Sequence, residues 1–128
     1  MTNSNNQYAV ILLRVALGSI LIAHGLLKLF VFTPAGTVGY FASLGLPAAA
    51  AYLTIAGEIV GGAAIVAGVK TRLAALLSLP ILLGATWVHL GNGWVFNSEG
   101  GGWEFPLLLV ILAVVVALQT PSRLDAQS

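Results

Sequence analysis

The sequence contains no cysteine. Disulfides, thiolate metal ligands and dithiol redox chemistry by the chain itself are therefore excluded. Any redox role must take its electrons from a cofactor, a substrate or a partner. Charge is almost as scarce: 5 Lys+Arg and 4 Asp+Glu make up 7% of 128 residues. A soluble domain carries about 25%. So few charges cannot cover a water-soluble monomer of this size, which excludes an ordinary cytosolic enzyme. A nucleic-acid partner requires a basic face, and a formal net charge of +1 supplies none.

What is abundant is apolar surface. Hydrophobic residues are 59% of the chain and the mean hydropathy is +0.99, which also excludes a disordered tail. The expectation is a polytopic membrane protein, with room for about four spans of roughly 20 residues. The first apolar run covers residues 8–32 and is interrupted only by Arg14, His24 and Lys28. It has no basic leader and is longer than the ~7–15 residues of a signal core, so it reads as a retained span. Thr33-Pro34 and Gly36/Gly39 read as the start of a loop over 33–47. Pro47 suits the first turn of a second span, 48–68, which carries Glu58. A third span, 71–90, opens at Thr71, read as its N-cap, and contains Pro80, a residue membrane helices tolerate. The fourth, 103–119, opens at Trp103-Glu104-Phe105-Pro106. The expected product is a single all-α domain over 1–128, an integral membrane antiparallel four-helix bundle.

Orientation follows from basic residues near the span ends. Arg14, Lys70, Arg72 and Arg123 fall on one side, and Glu99 on the other. Both termini are therefore expected in the cytoplasm of a cell inner (plasma) membrane, with loops 33–47 and 91–102 outside. Trp87, Trp94, Trp103 and Tyr40 gather at the outer boundary, as an interfacial aromatic belt does. Gly57-x-x-x-Gly61, with Gly62, is a close-approach pattern for helices in lipid. It is read first as an intramolecular contact and second as a homo-oligomer face. Gly18 and Gly25, seven apart, share one face of the first span.

Ionisable residues inside spans are costly and mark candidate sites. His24, Lys28, Glu58, His89 and Glu104 qualify, and all fall in the outer half of the bundle. His24 and Lys28 are four apart and share a helix face. Glu58 is the deepest, about 15 Å into its helix. Each also has a structural reading. Lys28 can snorkel to the interface, Glu104 can favour a helix N-terminus, and His89 can be a boundary residue. Glu58 can be protonated, or can pair structurally with Lys28 or His24. Arg14 reads as a topology anchor and headgroup contact.

The stretches Leu13-Arg14-Val15-Ala16 and Ala23-His24-Gly25-Leu26-Leu27-Lys28-Leu29 resemble the opening of the DoxX family of small four-span membrane proteins. Phe41-x-x-Leu44-Gly45-Leu46-Pro47, Gly57-Glu58-x-x-Gly61-Gly62 and Thr71-Arg72-Leu73-Ala74-Ala75 continue the resemblance. His89-Leu90-x-Asn92-Gly93-Trp94 and Gly102-Trp103-Glu104-Phe105-Pro106-Leu107 complete it over about residues 10 to 120. The resemblance implies a membrane four-helix bundle that serves respiratory-type oxidoreductases, including thiosulfate:quinone oxidoreductases. The separate soluble domain of some thiosulfate-oxidising relatives is not in this sequence, so the implication does not extend to a sulfur substrate.

The leading expectation is an integral membrane component of an oxidoreductase system, with an outward-facing polar pocket for a quinone or similar lipophilic substrate. His24, Lys28 and His89 would donate hydrogen bonds to a quinone carbonyl. Glu58 and Glu104 would relay protons, with Glu58 and His24 as the catalytic pair. Trp87, Trp94 and Trp103 would wall a flat ring. One alternative is a zinc or iron site on His24, Glu58, His89 and Glu104, although the bundle signature Glu-x-x-His is absent. Another is a non-catalytic assembly or ligand-binding bundle. Expected partners are the lipid bilayer, an oxidoreductase subunit and a second copy through the Gly57/Gly61 face, with no nucleic acid.

Overall fold

The computed structural model describes residues 4–90 and 102–119. All regular structure among them is helical. Helix α1, Ser4–Leu26, runs without interruption into a π-helical turn, Leu27–Val31. The remaining helices are α2 (Thr33–Ser43), α3 (Ala48–Ala67), α4 (Thr71–His89) and α5 (Glu104–Gln119). Ser4–Val31, Ala48–Ala67 and Thr71–His89 are each long and apolar enough to cross a membrane, and Glu104–Gln119 is a shorter apolar helix. Lipid offers the backbone no hydrogen bonds, so apolar runs of this length close their own as helices. The protein is an all-α membrane helical bundle.

Two local expectations are corrected. Residues 33–43 are helix α2 rather than loop. Pro34 occupies its first turn, where a missing N–H costs nothing. The Thr33 hydroxyl accepts the Gly36 N–H at 3.1 Å, so the expected breaker acts as a cap. Thr71 is likewise not an N-cap but the first helical residue of α4, and it is buried. Lys70 holds the cap position in a left-handed conformation, φ 48°, with no side-chain cap bond. Just before it, Gly68 ends α3 at φ 78°, and the Val69 N–H reaches back to the Ala64 carbonyl at 2.9 Å. This closing turn favours glycine, and it reverses the chain within three residues.

Helix α1 packs on α3 and α5, and α4 packs on the same two helices. Short α2 lies against α3 and the π turn. Lipid tails are as apolar as leucine, so the helices associate by close packing rather than by escape from water. The α1–α3 seam is made of glycines. A Cβ on Gly18 would lie 2.6 Å from the Gly62 carbonyl oxygen, and one on Gly62 equally close to the Gly18 carbonyl oxygen. The α4–α5 side is filled by buried Ala74, Ala75 and Leu82 of α4 and Leu109, Ala113, Val116 and Ala117 of α5, and Leu17, Leu21 and Ile65 join them in the core. Gly57 faces Ile81 of α4, while a Cβ on Gly61 would meet nothing within 4 Å. The expected close-approach pair is thus divided between an internal contact and an open surface.

The basic residues in the described segments, apart from Lys28 and the histidines, gather at one end. The Arg14 guanidinium lies 3.2 Å from where a Gly68 Cβ would be. Arg72 Nε donates to the Ala117 carbonyl at 3.2 Å, where a positive charge suits the end of α5.

These contacts separate the glycines by measurable cost. Gly18→Ala or Gly62→Ala should destabilise the bundle by about 1–3 kcal/mol, the usual cost of overpacking. Gly61→Ala should be neutral or slightly stabilising, since alanine is the better helix former. Thermal unfolding of the purified variants in micelles checks this, and equal losses at positions 18 and 61 would refute the seam.

Candidate functional site

One ion pair crosses the seam between α1 and α3. Lys28 Nζ donates to Glu58 Oε1 at 2.9 Å, and the Glu58 side chain is 6% exposed against 21% for Lys28. Glu58 leaves α3 about 15 Å from its start, at the depth of a bilayer interior. A bare carboxylate there would cost several kcal/mol, so it needs a cation within reach. The backbone makes this reach short. Gly25 lies one turn before Lys28, and a Cβ there would sit 3.2 Å from Glu58 Cβ and 2.5 Å from Ile59 Cγ1. Glycine lets α1 and α3 close on each other where the charges must meet.

His24, four residues before Lys28, is half-buried. Its Nδ1 lies 2.8 Å from the Ile20 carbonyl. A carbonyl only accepts, so Nδ1 carries the proton, and in the neutral ring Nε2 keeps its lone pair. The ring's other neighbour is Phe105 of α5, with ring centroids 6.2 Å apart and planes tilted by 32°. His24, Lys28, Glu58 and Phe105 therefore bring three helices together around a cation, an anion, a basic nitrogen and an aromatic face.

His89 and Glu104 sit at the margins. His89, in the last turn of α4, donates from Nδ1 to the Ala85 carbonyl at 2.7 Å. Glu104 is the first residue of α5 and half-buried, a favourable place for a carboxylate beside a helix N-terminus. Trp103 precedes it, half-buried, and its carbonyl accepts the Leu107 N–H at 3.2 Å. Among the described residues no three His, Asp or Glu side chains are grouped to hold a metal ion. The four-ligand zinc or iron arrangement is not assembled there.

Trp87 is corrected outright. It is 58% exposed on the outer surface of α4 and walls no internal ring site. Trp94 and Glu99 lie outside the described residues. One contributor was missed from sequence: Phe105, beside the more conspicuous Glu104; Gly25 was read with Gly18 as one face of the first span, and that face meets α3.

Comparison with known proteins agrees with this architecture. The family model described as DoxX matches residues 9–91, more than half of the chain. The chain is 35% identical over 122 residues to a Bacillus subtilis (strain 168) protein named "Putative oxidoreductase CatD". The match covers 94% of this chain and 85% of that protein. No solved structure matches.

A buried pair is costly to break and cheap to remove whole. Glu58→Leu alone should destabilise the bundle by about 3 kcal/mol, because it strands the Lys28 ammonium. Adding Lys28→Met should recover most of that loss. Denaturation of both variants in the same micelles measures the coupling, and strictly additive losses would show that the pair contributes nothing.

Proposed function

The chain belongs to the DoxX family, and from that premise we propose that it is a membrane component of an oxidoreductase system, binding a quinone or similar lipophilic substrate at Lys28, Glu58 and His24. The observation that carries the reading is the Lys28–Glu58 pair, held at bilayer depth beside a half-buried histidine. The relative's printed name points to the same class of chemistry.

The donor set fits a quinone. A bound quinone supplies a couple of two electrons and two protons, with a partner subunit or second substrate as the other half of the exchange. Lys28 has three N–H donors and uses one on Glu58, which leaves others for a carbonyl oxygen. His24 Nε2 accepts a hydroxyl proton when the ring is neutral and returns it when protonated. Glu58 balances the charge on Lys28 and takes the second proton as that charge is screened. Phe105 gives a flat ring a face to lie against. Trp103, His89 and Glu104 form the rim of the same half of the bundle in this reading.

The proposal extends to placement. Four spans, with α5 as the last, put the Arg14, Gly68 and Arg72 end in the cytoplasm of the inner (plasma) membrane, together with both termini. The site then opens outward. A second copy on the open Gly61 surface and an oxidoreductase subunit are the associations this arrangement allows.

Two measurements test these statements. Decylubiquinone titrated into the purified full-length chain should quench tryptophan fluorescence saturably. Glu58→Gln, which keeps shape but removes charge, should weaken that binding by about tenfold, the effect of one lost charged hydrogen bond. An unchanged dissociation constant in the folded variant would sink the site. For orientation, Ser43→Cys should react with an impermeant thiol reagent on intact cells, and Val69→Cys only after permeabilisation. The opposite pattern would invert the protein.

A further inference from the structure

We propose that Thr37 is a positioning residue for Lys28. Its hydroxyl holds the carbonyl that the π turn frees, and so fixes the direction in which the Lys28 ammonium leaves α1 toward Glu58. The inference rests on the reading of the Lys28–Glu58 pair as the site.

The argument starts from a displaced hydrogen bond. In a continuous α-helix the Phe32 N–H would go to the Lys28 carbonyl, four residues back. It goes instead to the Leu27 carbonyl at 2.9 Å, which opens the turn by one residue. The Lys28 carbonyl then accepts from Thr37 Oγ1 at 3.3 Å. The same hydroxyl also faces the Thr33 carbonyl at 2.9 Å, so one hydrogen is shared between two acceptors. Thr54 and Thr86 make only the local bond to the carbonyl four residues back, at 2.8 and 2.9 Å, and both are half-buried. Thr37 differs on both counts: it reaches a second acceptor on another element, and it is 4% exposed. It is the buried residue of α2.

The chain reaches this arrangement against a local cost. Thr33 has φ 67°, a left-handed conformation that a β-branched residue rarely adopts. Helix α2, which begins at that turn, packs against α3 and the π turn, and from it Thr37 reaches the Lys28 carbonyl. Without the Thr37 hydroxyl, the Lys28 carbonyl is paired again only if the π turn closes to α and takes back the Phe32 N–H. Closing it removes the extra residue, which turns the backbone at this point by up to about 100°. Lys28 would then leave the helix in another direction, away from Glu58. π-turns concentrate at functional sites for this reason: they re-aim one side chain without rebuilding the helix.

The experiment uses the full-length chain in lipid nanodiscs. The sequence has two lysines, Lys28 and Lys70, so a 15Nζ-lysine sample gives two signals, with exposed Lys70 as the internal reference. With 13C-labelled glutamate, wild type and Thr37→Ser should show a cross-peak between Lys28 Nζ and the Glu58 carboxylate. Thr37→Val, which keeps the shape but not the hydroxyl, should lose it while the Lys70 signal stays in place. Decylubiquinone affinity should fall by about tenfold in Thr37→Val and recover in Thr37→Ser. A wild-type cross-peak in Thr37→Val overturns the proposal. If Thr37→Val does not fold, carbonyl-labelled lysine in the wild type decides: the Lys28 carbonyl must correlate with the Thr37 hydroxyl proton, and its absence overturns the proposal. If wild type binds no quinone while the cross-peak follows the hydroxyl, the substrate reading fails and the positioning role stands.

Discussion

A carboxylate at the depth of Glu58 is tolerable only with a cation against it. Three features of the fold follow from meeting that demand. Gly25 removes the Cβ that would hold α1 off α3 beside the pair. The π turn gives the Lys28 side chain its direction without interrupting the helix. Helix α2 supplies the hydroxyl that the displaced hydrogen bond requires. Each feature has a cost of its own, in glycine entropy, in a non-standard turn and in the left-handed Thr33. Together they place one pair of charges 2.9 Å apart in a lipid-like interior.

The rest of the bundle is built differently. The α4–α5 side is packed with alanines together with Leu82, Leu109 and Val116, which fill the interface without glycine's cost in conformational entropy. At the far end Arg14 and Arg72 lie against helix ends, where a positive charge is favourable. The half that contains Lys28, Glu58 and His24 instead keeps a titratable acid, a cation and a basic nitrogen together. Replacing all three with leucine-sized apolar groups would give a simpler helix interface.

The helical class was legible because lipid enforces it: uninterrupted apolar runs such as 106–118 have no other way to pair their backbone. Lys28, His24 and Glu58 were legible as site candidates because an ionisable residue stands out against such a run. Helix α2 was not legible. Thr33-Pro34, Gly36 and Gly39 read as breakers by propensity, yet Pro34 falls in the one turn that tolerates it and Thr33 caps that turn. The π turn carries no residue signature, since its displaced bond is stabilised by a hydroxyl nine residues away. Trp87 was misread because its position near the boundary gives depth but not direction, and its helix turns it outward.

The two histidines show how much of the chemistry is set by a local bond. His24 and His89 each donate Nδ1–H to the carbonyl four residues back, so both rings keep Nε2 as the acceptor. This bond is available to any histidine on a helix and by itself marks no function. What distinguishes His24 is what lies around the ring: Phe105 from α5 and, four residues on along its own helix, Lys28. An acceptor of fixed tautomer beside an ammonium that donates is a complementary pair for a group that exchanges hydroxyl and carbonyl states. The glycines of the seam bring Glu58 against that ammonium, at 2.9 Å.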